Sequence, residues 1–207
     1  MTTKKTTAIF IFTIICSIFL TGCMSFFQQQ NSLPPTEKED VDYDEDIGET
    51  PTLPENFTLY KNLVYGLQIG YPVNWEMQED FLGSIVMFLS PLENDLDIFQ
   101  ENVNIITEDL PDGNITVDEY VDVSLAQIEA LVLDFNLLES KSLTLNGNPA
   151  YKIVYTGSGD GGEQIEWLQV LTIKDTTAYV ITFTAEVGAY SNYESVIDEM
   201  INTFELI

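Results

Sequence analysis

Hydrophobic and polar positions follow three rhythms along this chain. From Ala8 to Leu20 the side chains are apolar except at Thr13 and Ser17. From Met24 to about Asn56 apolar residues are scarce. From Phe57 onward, short apolar segments recur between turn residues, and only this part has the pattern of a packed fold. Tyr65 to Tyr71 reads as a strand that closes at Pro72, since proline has no N–H to give to a sheet. Trp75, just beyond, is expected to cover the core. Ser84 to Ser90 (SIVMFLS) and Val103 to Thr107 read as further strands. Thr116-Val117-Asp118-Glu119 fits a capping box, with Thr as N-cap and Glu three residues on. Val117, Tyr120, Val121, Leu125, Ile128, Leu131, Val132 and Phe135 then form one stripe at helical spacing, suited to packing on a sheet.

The second half reads as strands joined by tight turns. Lys141 to Leu145 and Pro149 to Thr156 flank Asn146-Gly147, the dipeptide favoured in two-residue hairpins. Gly157 to Gly162 is a turn before Gln164 to Lys174, and Asp175-Thr176-Thr177 leads to Ala178 to Ala185. These neighbours predict an antiparallel meander. Tyr193, Val196, Ile197, Met200, Ile201 and Phe204 mark a second amphipathic helix. The expected fold is α+β, an antiparallel sheet flanked by helices. No internal repeat is visible.

The amino-terminal apolar run is too short to span a bilayer, which takes about 20 residues. With Lys4 and Lys5 before it, it has the proportions of a signal peptide. Leu20-Thr21-Gly22-Cys23 ends it and resembles the lipobox of prokaryotic lipoproteins. That resemblance implies cleavage between Gly22 and Cys23 and a diacylglyceryl group on the Cys23 thiol. The expected organisation is a lipoprotein signal peptide over 1–22, lipidated Cys23 with a disordered acidic linker over 23–56, and a folded domain over 57–207. The expected location is the cell membrane, lipid-anchored, on the extracellular or periplasmic side. Two acyl chains anchor stably where one is reversible. Cys16 and Cys23 are the only cysteines, so the domain has no thiol for a disulfide, a metal or catalysis.

Charge narrows the field further. The 207 residues include 34 acids against 7 bases, all lysine, for a formal net charge of -27. Nucleic-acid binding needs a basic footprint, and none exists. Arginine, the preferred bidentate partner of phosphate and carboxylate, is absent. Such a surface repels anionic headgroups and other copies of itself, so a monomer is expected. Its acidity fits a saline or alkaline habitat, plain solubility, or a cationic partner. The tract Glu37 to Asp46 is likewise either a self-repelling spacer or a tail for a basic partner. As a flexible coil the linker would reach roughly 30 Å.

Without histidine there is no Ser-His or Cys-His catalysis and no His-ligated zinc. Ser140-Lys141-Ser142 is a Ser-Lys pair in sequence, yet neighbours on a strand face opposite ways. No carboxylate pair of glycosidase type stands out. The Gly157–Gly162 loop lacks the lysine and helix of a phosphate loop. Glu108 to Glu119 partly follows the EF-hand template, but Leu110 occupies a ligand position. Asp109, Asp112, Asn114 and Asp118 are candidate ligands of a looser surface Ca²⁺ site. No resident cofactor, catalytic residue or nucleic-acid partner is expected. Asn56-Phe57-Thr58 and Asn114-Ile115-Thr116 are glycosylation sequons.

Four segments in order carry a family resemblance. They are Tyr65-Gly66-Leu67-Gln68-Ile69-Gly70-Tyr71-Pro72-Val73-Asn74-Trp75, the capped helix from Thr116, Leu145 to Thr156, and Ala178 to Ala185. Ile197-Asp198-Glu199-Met200-Ile201-Asn202-Thr203-Phe204 closes the match, with Thr203 where the family usually has serine. Together they make residues 57–207 resemble the PsbP-related proteins. The resemblance implies an α/β/α sandwich and does not imply an enzyme. The expected role is a non-catalytic binding or accessory module for an envelope protein or complex. Photosystem members of that family support the oxygen-evolving centre and its Ca²⁺ and Cl⁻ retention. Many bacterial and archaeal members are lipoproteins.

Overall fold

The structure, a computed structural model, describes residues 52–110, 115–159 and 161–207. In chain order the elements are β1 (Phe57–Asn62), β2 (Leu67–Pro72), β3 (Glu76–Glu79), β4 (Val86–Leu89) and β5 (Asn102–Asp109). Then come α1 (Val117–Leu131), β6 (Leu133–Leu145), β7 (Asn148–Ser158), β8 (Gln164–Lys174), β9 (Thr177–Glu186), α2 (Tyr190–Thr203) and β10 (Glu205–Leu206). Seven strands form one antiparallel sheet in the order β3-β4-β5-β9-β8-β7-β6, and three form a small sheet, β1-β2-β10.

The large sheet is buried on both faces. Leu168, Val170, Ile181 and Phe183 point to a core shared with Ile197 and Met200 of α2 and with Tyr60, Leu67 and Ile69 of the small sheet. Their neighbours Trp167, Leu171, Val180 and Ile153 point the other way, to Tyr120, Val121 and Ile128 of α1. Successive residues of a strand feed alternate faces, so β8 and β9 need apolar side chains at nearly every position. The Tyr71 ring stacks on Phe88 at 4.5 Å and joins the two sheets. Trp75 is buried and meets Tyr193 edge-on at 6.1 Å, in keeping with its expected place over the core.

Local chemistry sets several boundaries. The Thr116 hydroxyl accepts from the Glu119 N–H at 3.2 Å, and the Glu119 carboxylate accepts from the Thr116 N–H at 3.0 Å, closing the capping box. Asn146 and Gly147 take φ of 45° and 82°, the left-handed pair of a type I′ hairpin turn. Gly157 allows a close approach: a Cβ there would stand 2.8 Å from the Leu133 carbonyl oxygen and against Val132.

The structure departs from the periodicity in two places. α1 ends at Leu131, Val132 is its C-cap, and Phe135 belongs to β6. The helical stripe runs on in sequence because β6 also turns Phe135 toward α1's core. β1, β3 and β10 are additional strands. β3 is a polar four-residue edge, and β10 has two residues held by Gln68 and Leu67 of β2, so neither carries a readable apolar period.

Candidate functional site

Of the four residues singled out for cation binding, Asp109 and Asp118 lie among the described residues. Asp109 ends β5 and Asp118 lies in the first turn of α1, both exposed. Asp112 and Asn114 lie outside the described residues, as do Gly22 and Cys23. The EF-hand frame fails on positive grounds. Glu108 turns inward and accepts from the Tyr120 hydroxyl at 2.9 Å. Leu110 is buried, and its N–H donates to the Thr176 carbonyl at 2.7 Å. Glu119 is committed to the helix cap, and those hydrogen bonds hold its carboxyl below the usual range. Among the described residues no group of three or more acidic, Cys or His side chains is arranged to hold a metal.

Ser140 and Lys141 point to opposite faces of β6. The Ser140 hydroxyl donates to the Tyr151 hydroxyl at 3.2 Å, and Lys141 sits 2.5 Å from Glu139, which raises the lysine's pKa. A catalytic lysine needs the opposite shift.

Two carboxylates are buried and hydroxyl-bound. Glu101 accepts from the Ser90 hydroxyl at 3.2 Å and lies beside Tyr193. Burial raises its pKa, and that of Glu108, more than their hydrogen bonds lower them. Tyr193 is pushed up to about 12, first by burial. Near Glu101's end of the sheet an open groove is lined by Glu93, Gln164, Glu186, Gly188 and Asn192.

The feature that the sequence pattern missed is a polar row inside the α1 face. Strand register places Asn102, Thr184, Trp167 and Tyr155 side by side across β5, β9, β8 and β7. The next row holds Asn104, Thr182 and Gln169, and Gln169 Nε2 donates to Thr182 Oγ1 at 3.3 Å. Asn102 Oδ1, Thr184 Oγ1, Trp167 Nε1, Tyr155 OH and Gln169 Oε1 are buried without a hydrogen-bond partner among the described residues. Each such group costs roughly 1–3 kcal/mol. The set is uncharged, since burial raises the Tyr155 pKa and keeps its hydroxyl protonated. It can satisfy water or a neutral hydrogen-bonding group, and it supplies no nucleophile or proton shuttle. The alternation in Asn102-Val103-Asn104 and Thr182-Phe183-Thr184 is visible in sequence, but it only becomes a row once register is known.

The described residues contain no helix long and apolar enough to cross a membrane. No curated protein matches the sequence. Solved structures match the fold. Cyanobacterial PsbP (CyanoP) of Synechocystis is 16% identical, with 77% of this chain and 98% of that chain covered and a TM-score of 0.55. LpqN of Mycobacterium tuberculosis, described as involved in cell envelope biogenesis, is 12% identical over 67% of this chain and 81% of its own, with a TM-score of 0.54. PA94 of Pseudomonas aeruginosa is 17% identical over 72% and 95%, with a TM-score of 0.52. The sequence matches the PsbP-like protein family over residues 12–206, and the chain belongs to that family.

Proposed function

We propose that this chain is a lipid-anchored, extracytoplasmic PsbP-like module that binds an envelope protein or complex and turns over no substrate. One observation carries the binding role. The turn between β1 and β2 holds Leu63 and Val64 out in solvent, 76% and 90% exposed. This tip is tied down: the N–H groups of Val64 and Tyr65 donate to Asn62 Oδ1 at 3.0 and 3.2 Å. The Tyr179 hydroxyl donates to the Tyr65 carbonyl at 3.0 Å, and the Ile207 N–H donates to the Gly66 carbonyl at 2.9 Å. An ordered, exposed apolar tip suits a protein contact. The involvement of LpqN in cell envelope biogenesis supports this reading.

The test is site-directed photocrosslinking at Tyr65, beside the two exposed side chains, in native membranes, followed by mass spectrometry. A reproducible adduct that is lost in Leu63→Ser/Val64→Ser supports the reading, whereas adducts that survive those changes count against the tip. Palmitate labelling tests the anchor. Cys23→Ala should abolish it, and unchanged labelling in that variant would sink the assignment.

Two alternatives differ in class. A cation-binding module would use Asp109, Asp112, Asn114 and Asp118, and predicts a stoichiometric calorimetric signal with Ca²⁺ that Asp109→Asn removes. An extrinsic photosystem II-type accessory subunit predicts co-purification with that complex, and shares the fold of CyanoP.

A further inference from the structure

The seven-stranded sheet ends differently on its two sides. β3 is four residues long, carries Glu76 and Glu79, and is followed by Asp80 at φ 53°. Shortness and charge blunt that edge against further pairing. β6 is 13 residues long, and among the described residues no strand pairs with its outer side. Its first half is irregular, with Asp134 at φ 55° and register shifts between Leu133/Asn136 and Leu137/Glu139. Its second half, Glu139 to Leu145, pairs with β7 residue for residue.

Leu145 and Asn148 flank the two-residue turn, so they exchange both hydrogen bonds, and Leu143 and Lys141 follow in step. Ser140, Ser142 and Thr144 therefore direct their N–H and C=O groups outward. The same run is neutral in a chain of net charge -27. Glu139 lies 2.5 Å from Lys141 and 3.1 Å from Lys152.

We infer that Glu139–Leu145 is a self-pairing edge, to which β6 of a second copy of this chain adds antiparallel about a two-fold axis at Ser142. That axis sets Ser142 opposite its own copy and Ser140 opposite Thr144 of the second copy, hydroxyl against hydroxyl. Lys141 faces Leu143 and Glu139 faces Leu145, so no like charges are opposed. Any other register that keeps the unbulged run in pairing shortens it. A seven-residue seam buries less than the roughly 1,200–2,000 Å² of a stable interface, and the acidic surfaces repel. Association is therefore weak, rises with concentration, and is strengthened by salt, which screens that repulsion. A contact driven by opposite charges would weaken with salt.

Sedimentation equilibrium of the detergent-solubilised full chain at low and high salt tests this. The weight-average mass should climb from one chain toward two with concentration, more steeply at high salt. Ser142→Pro should hold it at one chain, because it deletes an outward N–H and leaves the β6–β7 ladder intact; an unchanged circular dichroism spectrum confirms the fold. In a Cys16→Ala/Cys23→Ala background, a spin label at Ser142→Cys should show dipolar broadening that a label at Lys61→Cys does not. One chain at every concentration, association that survives Ser142→Pro, or equal broadening at both sites overturns the inference. In the first case the edge is left to a strand from another protein.

Discussion

At the scale of single residues, the informative positions are polar groups that folding buries. Glu108 is enclosed with Tyr120, and burial raises its pKa above the usual 4.5. A raised folded-state pKa means that its stabilising share is full below the unfolded value and is lost as pH rises through the folded one. At neutral pH the ionised carboxylate is a net cost. Glu108→Gln keeps an acceptor for the Tyr120 hydroxyl, so it should raise the melting temperature at pH 7 and have little effect below pH 4, as thermal unfolding at the two pH values would show. Thr184→Val deletes a buried hydroxyl that has no partner among the described residues. It should stabilise the fold by about 1 kcal/mol in urea unfolding. A loss of that size would mean that the hydroxyl is satisfied by a bound water or guest. None of this was legible in the sequence. Glu108 and Tyr120 sit on different elements, and the Asn102–Thr184–Trp167–Tyr155 row is drawn from four strands.

At the scale of elements, local chemistry is read more directly. The capping box at Thr116 and Glu119 is a four-residue pattern with its own hydrogen bonds, and it forms as expected. Thr116→Ala should cost roughly 1 kcal/mol in chemical unfolding. The Asn146-Gly147 hairpin forms for the same reason, since few other dipeptides tolerate two left-handed φ values. The end of α1 was not legible, because Phe135 sits at helical spacing from Leu131 and Val132 yet packs from a strand. What stops the helix is β7: Leu133 pairs with Ser158, and Gly157 lets Val132 pass close above it. Gly157→Ala should therefore destabilise by roughly 1–3 kcal/mol, the usual cost of overpacking, measurable as a lower urea midpoint. A neutral outcome would show that Val132 moves aside freely.

At the scale of the whole molecule, net charge and sheet edges dominate. A formal charge of -27 spread over one small chain repels itself. Raising salt should increase the unfolding free energy as well as self-association, and a melting temperature that falls with salt would contradict both. The sequence by itself determined what depends on near neighbours in the chain. That includes the capped helix, the Asn-Gly hairpin, the β8–β9 pair across Asp175-Thr176, the amphipathic second helix, and the family signature that runs through them. Only the tertiary structure decided that β5 inserts beside β9, that β1, β2 and β10 form a separate sheet over α2's side of the core, and that a polar row lies on α1's side of the large sheet. It also decided which strands are left at the edges. These choices rest on register between strands far apart in sequence. A one-residue slip exchanges the two faces of a strand, and the sheet settles on the pairing that buries apolar side chains on both faces at once.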